Sequence, residues 1–335
     1  MRALVVGGGS IGKRHLSNLK ALQVGPLALV EKDLSRGQAL AGELSVATFA
    51  DIETGLEWRP DFVVIATPTH LHLEQASRLV RQGVHVFVEK PLCHAAPGMQ
   101  ELVAMAEARK IVSMVGCNMR FHPGPLRVKQ LLSEDRIGRI LFARVHTGSY
   151  LPKWRPASDY RTNYAAYEQM GGGCILDCIH EIDLTRWYLG DVREVMCMAG
   201  HVSSLEVETE DVAAILCRHL SGALSEIHLD YVQHTYERGC QVVGERGSIF
   251  WDFVQKQVRC FDAASGQWTD FSEPTGWDVN QMYVDEMKHF IDCVENGCAT
   301  RLPISEAMAV MQIAFAAKDS AREGRVVAAA SEVRA

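Results

Sequence analysis

The sequence lacks the long apolar run that a membrane-spanning helix requires. No stretch of its 335 residues approaches the roughly 18 consecutive apolar residues that cross a bilayer. Residues 1–7 end in turn glycines, a pattern that favours a first strand over a signal peptide. We therefore expect a cytoplasmic protein that has no membrane partner.

Positive charge is also scarce. The 34 Lys and Arg residues are outnumbered by 41 Asp and Glu residues, and the net charge of -7 argues against a general nucleic-acid binder. Cys174, Cys178 and His180 lie close together, but no second Cys or His pair stands at zinc spacing. We expect no metal, and we expect the ten cysteines to be reduced and mostly buried.

The length of the chain, with 47% hydrophobic and 22% charged residues, suits two globular domains. Within residues 1–120, short apolar runs alternate with helical patterns, which is typical of a parallel sheet covered on both faces. This rhythm predicts a doubly wound, dinucleotide-binding domain. Its predicted strands are 3–6, 27–30, 46–49, 62–66, 84–88 and 111–115, and its predicted helices include 11–22, 71–82 and 99–109.

The rhythm changes after a proline and glycine cluster at residues 121–125. Residues 121–335 predict an α+β domain that is built on a large, mostly antiparallel open sheet, because strand patterns follow one another with few helices between them. The predicted strands are 140–146, 212–218, 223–229, 240–243, 248–253 and 257–261, and the predicted helices are 126–133, 283–295 and 305–322.

A glycine loop follows the first predicted strand. Gly7, Gly9 and Gly12 fit the GxGxxG pattern, in which the glycines permit a tight turn, close approach to a pyrophosphate and close packing of helix on strand. Ser10 precedes the predicted helix and Ile11 begins it, and the first N–H groups of a helix can bind phosphate. The loop therefore predicts a nucleotide cofactor.

An acidic residue ends the second predicted strand. Glu31 can accept hydrogen bonds from the ribose hydroxyls of NAD and would repel the 2'-phosphate of NADP. We predict NAD, although Lys32 or Arg36 could still serve NADP. Thr67, Pro68 and His72 follow the fourth strand at the edge where ligands bind, and we predict that they line the cofactor, with Thr69 as a helix cap.

Glu89-Lys90-Pro91 follows the fifth predicted strand at the same edge. Pro91 would orient the segment, and the Lys90–Pro91 bond could be cis. We predict that Glu89 and Lys90 contact the cofactor. The alternative is a surface lysine at the end of a strand.

In the second half, a glycine run at 171–173 precedes an apolar segment that contains charged residues. Asp177 and His180 are three residues apart, so they would share one face of a helix. An imidazole beside a carboxylate can accept a proton near neutral pH. Alternatively, Asp177 caps the helix and His180 packs in the core.

Together, the glycine loop, the Glu-Lys-Pro triplet and the GGG-x3-D-x2-H stretch resemble the Gfo/Idh/MocA family of glucose-fructose oxidoreductase, inositol dehydrogenase and rhizopine catabolism enzymes. The resemblance implies a Rossmann domain, an α+β domain, and NAD(P)-dependent oxidation or reduction of a sugar or cyclitol carbon. It also implies a homodimer or homotetramer that forms through the C-terminal sheet.

The resemblance implies catalytic roles for Lys90, Asp177 and His180. In the commoner pattern the histidine follows the aspartate by four residues, a position that Glu181 holds here, so Glu181 is the alternative base and otherwise a substrate contact. The segment is similar to a variant found in enzymes of surface-polysaccharide and sialic-acid-like sugar pathways. Under this interpretation His180 accepts the hydroxyl proton, Lys90 stabilises the reacting oxygen and Asp177 orients the substrate or the imidazole.

Further candidates for substrate binding come from residues 118–121, which resemble the family's substrate-side linker, and from a downstream cluster that combines aromatic rings, which stack on sugars, with arginines, which bind anions. They suggest a sugar that bears an anionic group. They are Asn118, Arg120, Trp154, Arg155, Tyr160 and Arg161. Two other classes remain open: a catalytically inactive dinucleotide-binding regulator of the same fold, and a methyltransferase that uses a similar glycine loop.

Overall fold

The computed structural model of the protein describes residues 1–156 and 158–329. They form two compact units. The first comprises Met1–Asn118 and Asp278–Met308, and the second comprises Met119–Trp277 and the described residues from 309 onward. The sequence-based boundary left residues 278–308 with the second half. That predicted domain, 121–335, also includes residues 157 and 330–335, which lie outside the described residues.

A six-stranded parallel sheet forms the centre of the first unit, in the order β3-β2-β1-β4-β5-β6. Most of its strands are apolar at successive positions because helices cover both faces. The predicted doubly wound domain is confirmed. The strands are β1 (Ala3–Val6), β2 (Leu27–Val30), β3 (Ala47–Phe49), β4 (Phe62–Ile65), β5 (His85–Glu89) and β6 (Ser113–Gly116).

Helices connect these strands, and the predicted helices at 11–22, 71–82 and 99–109 are confirmed within two residues. Two shorter connecting helices at 34–44 and 52–57 were not predicted. The helices are α1 (Ser10–Ala21), α2 (Leu34–Leu44), α3 (Ile52–Glu57), α4 (His72–Arg81) and α5 (Met99–Ala108).

A mixed sheet of nine strands forms the second unit, in the order β14-β13-β12-β11-β7-β10-β9-β8-β15. Neighbouring strands are antiparallel except β7 and β10. The strands are β7 (Ile140–Gly148), β8 (Val192–Gly200), β9 (Val212–His219), β10 (Leu224–Asp230), β11 (Glu237–Gly244), β12 (Gly247–Asp252), β13 (Gln257–Asp262), β14 (Gln267–Ser272) and β15 (Val327–Ala328).

The remaining helices are α6 (Pro123–Ser133), α7 (Cys174–Asp177), α8 (Ile179–Leu189), α9 (Asn280–Asn296) and α10 (Ile304–Glu323). Helices α6 and α8 pack on one face of the nine-stranded sheet. In the first unit, Phe290 of α9 makes edge contacts with Phe62 and Phe87 at ring distances of 5.4 and 5.6 Å. All three rings are fully buried, and burial of each contributes roughly 1.5–3 kcal/mol.

In the second unit, the sequence patterns missed β8, β14, β15, α7 and α8. Strand β14 is mostly exposed, so it lacks the apolar alternation of a half-buried strand. Helix α8 is buried on nearly every side, including its charged residues, so it has no polar stripe. The positions of β14 and α8 are therefore determined by the elements that they contact more than by their own sequence patterns.

The second face of the nine-stranded sheet is not covered by the described residues. Met198, Leu216 and Leu224 stand on this face with exposed fractions of 76%, 56% and 45%. Glu226, which is paired with Leu216 across the sheet, forms an ion pair with Arg144 at 3.1 Å on the same face. The sheet therefore exposes an amphipathic surface, which we call the open face.

A buried histidine caps helix α6. The Nδ1 atom of His122 accepts the N–H of Gly124 at 3.1 Å, and its ring packs against Trp251, Phe253 and Trp277. Burial, together with the charge of Arg238, lowers the pKa of His122 to about 3. The ring is therefore neutral in the folded protein.

Because the unfolded chain protonates His122 with a pKa near 6.5, this residue favours unfolding as the pH falls from 6.5 towards 3. The linkage predicts a loss of about 2 kcal/mol of stability between pH 7 and pH 5. His122→Asn keeps an acceptor for the cap and should lose less stability over this range. Denaturant unfolding of both proteins at the two pH values measures the difference, and an equal loss in both would contradict the assignment.

Among the described residues, no helix combines the length and the apolar character that crossing a membrane requires.

Candidate functional site

The glycine loop is shaped by backbone contacts at two of its three positions. Gly7 has φ +100°, and a Cβ atom there would lie 2.6 Å from the carbonyl oxygen of Ala66. A Cβ on Gly12 would collide with the carbonyl oxygen of Gly7. These two glycines are therefore required by the turn itself.

Gly9 is different, because a Cβ atom there would meet no protein atom within 4 Å. It is the N-cap of α1, with no side-chain cap, and Ser10 beside it is exposed. The N–H groups of Ser10, Ile11 and Gly12 have no acceptor inside the helix, as at any helix start. The open space at Gly9 fits the close approach of a dinucleotide phosphate.

Glu31 lies beside this loop with a side chain that is 9% exposed. Its Oε2 accepts the N–H of Gly8 at 2.7 Å, and its Oε1 accepts the N–H of Asp33 at 2.9 Å. Arg36 lies 3.6 Å from the same carboxylate. The acid is thus fixed at the carboxyl end of β2, where the sequence predicted a ribose contact.

The segment after β4 is held by side chains on α4. Thr67 donates its hydroxyl to Gln75 Oε1 at 2.8 Å, and Pro68 is exposed. The prediction that Thr69 caps a helix is wrong: Thr69 begins a short 3-10 turn, and its side chain makes no capping hydrogen bond.

His72 is buried, with 1% of its surface exposed. Its Nδ1 lies 2.8 Å from the carbonyl oxygen of Pro91, and its Nε2 lies 2.8 Å from that of Thr67. Burial lowers the pKa of His72, while these two carbonyls act in the opposite direction. Since both ring nitrogens face backbone oxygens, His72 can position the cofactor segments but has no free nitrogen for the cofactor.

Lys90 follows β5 at the carboxyl edge of the parallel sheet, as predicted, and is half-buried. The Lys90–Pro91 bond is cis. Glu89 turns inwards: its Oε1 lies 2.6 Å from Nε2 of His15, and its Oε2 accepts the N–H of Lys90 at 3.2 Å. His15 was not predicted, although a polar residue on the buried side of α1 was a usable signal.

In the second unit, the glycine run brings α7 against the segment before β9. Gly173 has φ +103°, and a Cβ there would collide with the Glu210 carboxylate. That carboxylate accepts the N–H of Ile175 at 3.2 Å, and the Cys174 N–H donates to the Glu210 carbonyl at 3.0 Å. These bonds fix the start of the short helix that ends at Asp177.

Asp177 is 4% exposed, and its carboxylate is hydrogen-bonded to two tyrosines. Its Oδ1 accepts the hydroxyl of Tyr164 at 2.9 Å, and its Oδ2 accepts that of Tyr231 at 3.4 Å. Burial and the Asp177 charge raise the pKa of Tyr231, so its hydroxyl stays protonated. Asp177 is not a helix cap, since Cys178 is the N-cap of α8 and no side chain caps that helix.

His180 is the second residue of α8 and is 8% exposed. Asp177 and His180 do not lie on one continuous helix, because the chain leaves helical geometry at Cys178. His180 and Glu181 both lie beyond this break, as successive residues of α8.

Glu181 is fully buried, and its Oε1 lies 2.8 Å from Nε of Arg238. Burial disfavours the charge on Arg238, but the Glu181 carboxylate more than offsets it and raises the pKa of Arg238. An ion-paired, buried carboxylate is poorly placed to accept a substrate proton or to touch a substrate. The geometry therefore favours His180 over Glu181 as the base.

Two of the predicted substrate residues lie close to Asp177. Trp154 packs edge-on against Tyr231 at 5.2 Å and is 37% exposed. The guanidinium of Arg155 lies 5.5 Å from the ring centre of Tyr164. The Trp154 ring and the Arg155 cation thus each contact one of the two tyrosines that donate to the Asp177 carboxylate.

Tyr160 and Arg161 are engaged elsewhere. The Tyr160 hydroxyl accepts the N–H of Glu206 at 3.2 Å. Arg161 forms ion pairs with Asp159 and Glu206 at 2.8 and 3.1 Å, and these contacts raise its pKa. An arginine that is already paired with two carboxylates is a weaker anion receptor than the sequence suggested.

Arg120 also differs from the prediction. It is 3% exposed, and its Nε and Nη2 donate to the two oxygens of Asp183 at 2.9 and 2.7 Å. Its guanidinium lies 5.3 Å from the ring centre of Trp187. Arg120 therefore forms a buried ion pair with Asp183. Asn118 is different: its Oδ1 is buried and accepts no hydrogen bond from the described residues.

No group of three or more His, Cys, Asp or Glu side chains within 1–156 and 158–329 is arranged to hold a metal ion. Cys174 and Cys178 are both buried free thiols, and burial raises the pKa of Cys174 well above its usual value. They behave as apolar residues of the core.

Residues 1–117 match the model of an oxidoreductase family with an NAD-binding Rossmann fold, and residues 126–250 match the GFO/IDH/MocA C-terminal domain. The chain belongs to the GFO/IDH/MocA family of oxidoreductases. It is an NAD(P)-dependent dehydrogenase or reductase. The resemblance seen in the sequence motifs is thereby confirmed.

Two curated relatives illustrate the family. The scyllo-inositol 2-dehydrogenase (NAD(+)) of Bacillus subtilis is 26% identical over 342 residues, which cover 98% of this chain and 96% of that protein. The levoglucosan dehydrogenase of Pseudarthrobacter phenanthrenivorans is 29% identical over 304 residues, which cover 78% and 76%. A structure of levoglucosan dehydrogenase with NADH and levoglucosan superposes with a TM-score of 0.90 at 19% identity, covering 99% of this chain and all of that one, and so supports the fold.

Proposed function

We propose that the protein transfers a hydride between NAD and a hydroxyl-bearing carbon of a sugar, a sugar derivative or a cyclitol. The observation that carries the proposal is the arrangement around Asp177 in the second unit. Its buried carboxylate accepts hydrogen bonds from two tyrosines, and Trp154 and Arg155 pack against the rings of these tyrosines. Carboxylates and aromatic faces are suited to polyhydroxylated rings. The named activities of the relatives support the same substrate class.

The chemistry of the nicotinamide, when NAD is bound, is to accept or return the hydride. The hydroxyl proton must leave in the same reaction, and His180 is the proposed acceptor because Glu181 is committed to Arg238. Asp177 orients the substrate or the imidazole. The hydroxyls of Tyr164 and Tyr231 donate to its two oxygens and fix the position of the side chain.

Lys90 is the proposed stabiliser of the reacting oxygen. An ammonium that donates to an oxygen on which negative charge develops stabilises the transition state more than the ground state. The remaining proposed cofactor contacts are the glycine loop with Ser10 and Ile11, Glu31, Thr67, Pro68 and Glu89. Glu31 supports NAD over NADP, since its fixed carboxylate would repel a 2'-phosphate.

The proposed function is tested with a panel of substrates. Inositols, anhydrosugars, sugar acids and nucleotide sugars are incubated with NAD or NADP, and NADH or NADPH is followed by absorbance. We expect one class to react, with NAD preferred. Turnover of nucleotide sugars or sugar acids would support a role in surface-polysaccharide metabolism, with Arg155 as the anion contact. NAD binding without turnover of any substrate would instead support an inactive regulator, and selective binding of S-adenosylmethionine would support a methyltransferase.

We further propose a cytoplasmic homo-oligomer that assembles through the open face. Apolar side chains in adjacent strands, interspersed with ion pairs, favour a specific protein partner. Leu216→Lys should place an unpaired charge in such an interface and shift the mass measured by light scattering towards the monomer. Val254→Lys, at an exposed turn residue outside the face, is the matched control. A monomeric natural protein would contradict the proposal.

A further inference from the structure

Lys90 is flanked by two residues whose polar atoms are held by histidines from different helices. On one side, Glu89 contacts His15 of α1. On the other side, the Pro91 carbonyl contacts His72 of α4. Both histidines are buried, with 0% and 1% of their surfaces exposed.

The contact on the Glu89 side is a continuous hydrogen-bonded link. A carboxylate only accepts hydrogen bonds, so Nε2 of His15 donates to Glu89 Oε1 at 2.6 Å. The other oxygen of Glu89 accepts the backbone N–H of Lys90 at 3.2 Å. His15 is therefore joined to the backbone of Lys90 through one side chain.

The surroundings leave the Glu89 side chain little freedom. The ring of His15 packs edge-on against Phe87 at 5.2 Å and Tyr283 at 6.5 Å. Opposite Glu89 in the sheet stands Gly116, and a Cβ atom there would lie 3.3 Å from the Glu89 carboxyl carbon. The lack of a side chain at position 116 makes room for the carboxylate.

His72 forms the second support. It lies between the carbonyls of Pro91 and Thr67, at 2.8 Å from each. A neutral ring can donate to one of these oxygens, and only the imidazolium can donate to both. The ring thus joins the segment after Lys90 to the segment after β4.

We propose that His15 and His72 are positioning residues that fix the direction of Lys90, and that His15 links it to the helix of the glycine loop. The proposal rests on the proposed role of Lys90 in the reaction. Neither histidine contacts the substrate in this scheme. Each acts through a neighbour of Lys90, so loss of either contact should lower kcat more than it weakens NAD binding.

The test for His15 compares two variants. His15→Leu removes the donor to Glu89 and should lower kcat by about 10²-fold, since misplacement of a catalytic group by about 1 Å can cost that much. His15→Gln retains an N–H at a similar distance from the backbone and should recover most of the loss. If kcat falls equally in both variants, or falls in neither, the positioning role is overturned.

The test for His72 separates its two contacts. His72→Asn can retain the donor to Pro91, whereas His72→Gln can retain the donor to Thr67. We expect Asn to preserve kcat better than Gln, because only the Pro91 contact adjoins Lys90. The reverse order, or equal values, would overturn this part of the proposal.

A second readout does not depend on turnover. The rate at which acetic anhydride acylates Lys90 in the full chain with NAD bound is followed by peptide mass spectrometry across a range of pH. His15→Leu should change this profile, and His15→Gln should restore it. His219→Leu is the control, since His219 is also buried and hydrogen-bonded, to Gly190 and Ser225, but lies in the second unit.

These measurements distinguish two kinds of failure. If no substrate in the panel reacts, the proposed function fails, while the acylation profile still decides whether His15 orients Lys90. If turnover is found but the His15 variants match His219→Leu in kcat and in acylation, only the positioning proposal fails. If His15→Leu does not fold, Glu89→Gln replaces it, because a side-chain amide in place of the carboxylate disrupts the same link.

Discussion

Replacement of Lys90 by methionine is expected to lower kcat by about 10²–10³-fold, the usual cost of removing one donor to a developing oxyanion. Methionine keeps an unbranched side chain of similar length but has no charge and no N–H. NAD affinity should change little, because the glycine loop and Glu31 are untouched. Steady-state kinetics with the reacting substrate, together with calorimetric titration of NAD, measures both quantities.

Lys20→Met is the matched control for this experiment. Lys20 belongs to the same unit, is exposed, and donates to the carbonyl of Leu44 at 3.1 Å. Its replacement should leave kcat and NAD affinity near the natural values. An unchanged kcat in Lys90→Met would remove Lys90 from the mechanism, and an equal loss of NAD affinity would make it a cofactor anchor instead.

Arg120→Met is expected to destabilise the protein by about 3–5 kcal/mol, because it leaves the buried carboxylate of Asp183 without its ion-pair partner. The effect should appear as a lower denaturant midpoint for the unfolding of the second unit. The double variant Arg120→Met with Asp183→Leu should recover part of the loss, since it removes the buried charge as well.

Arg139→Met provides the comparison. Arg139 pairs with Glu245 at 2.6 Å, but both side chains are largely exposed, and such pairs contribute at most about 1 kcal/mol. If Arg120→Met were as stable as this control and raised KM for the sugar, Arg120 would bind substrate, as the sequence first suggested.

The architecture of the first unit could be predicted because each of its strands and most of its helices have a recognisable pattern within a short stretch of sequence. Each parallel strand is a short apolar run, and each is followed by a turn and a helical pattern. The glycine loop and Lys90 could be placed for the same reason. Their positions follow from counting strands, and the ends of parallel strands meet at one edge.

The pairing of buried charges could not be predicted in this way. Arg120 is 63 residues from Asp183, and Glu181 is 57 residues from Arg238. An arginine near a suspected site looks like an anion receptor until its partner is known. His15 and Glu89, 74 residues apart, were missed as a pair for the same reason.

The first unit is built from two segments that are far apart in the chain, Met1–Asn118 and Asp278–Met308, and this has a consequence for synthesis on the ribosome. Phe290 completes the aromatic contacts of Phe62 and Phe87, and the amide of Asn280 in α9 donates to Asn18 in α1 at 2.9 Å. The ribosome therefore synthesises strands β7 to β14 of the second unit before α9, which completes the core of the first unit. A fragment that stops at residue 120 would expose the aromatic core that α9 covers, and would depend on chaperones or aggregate.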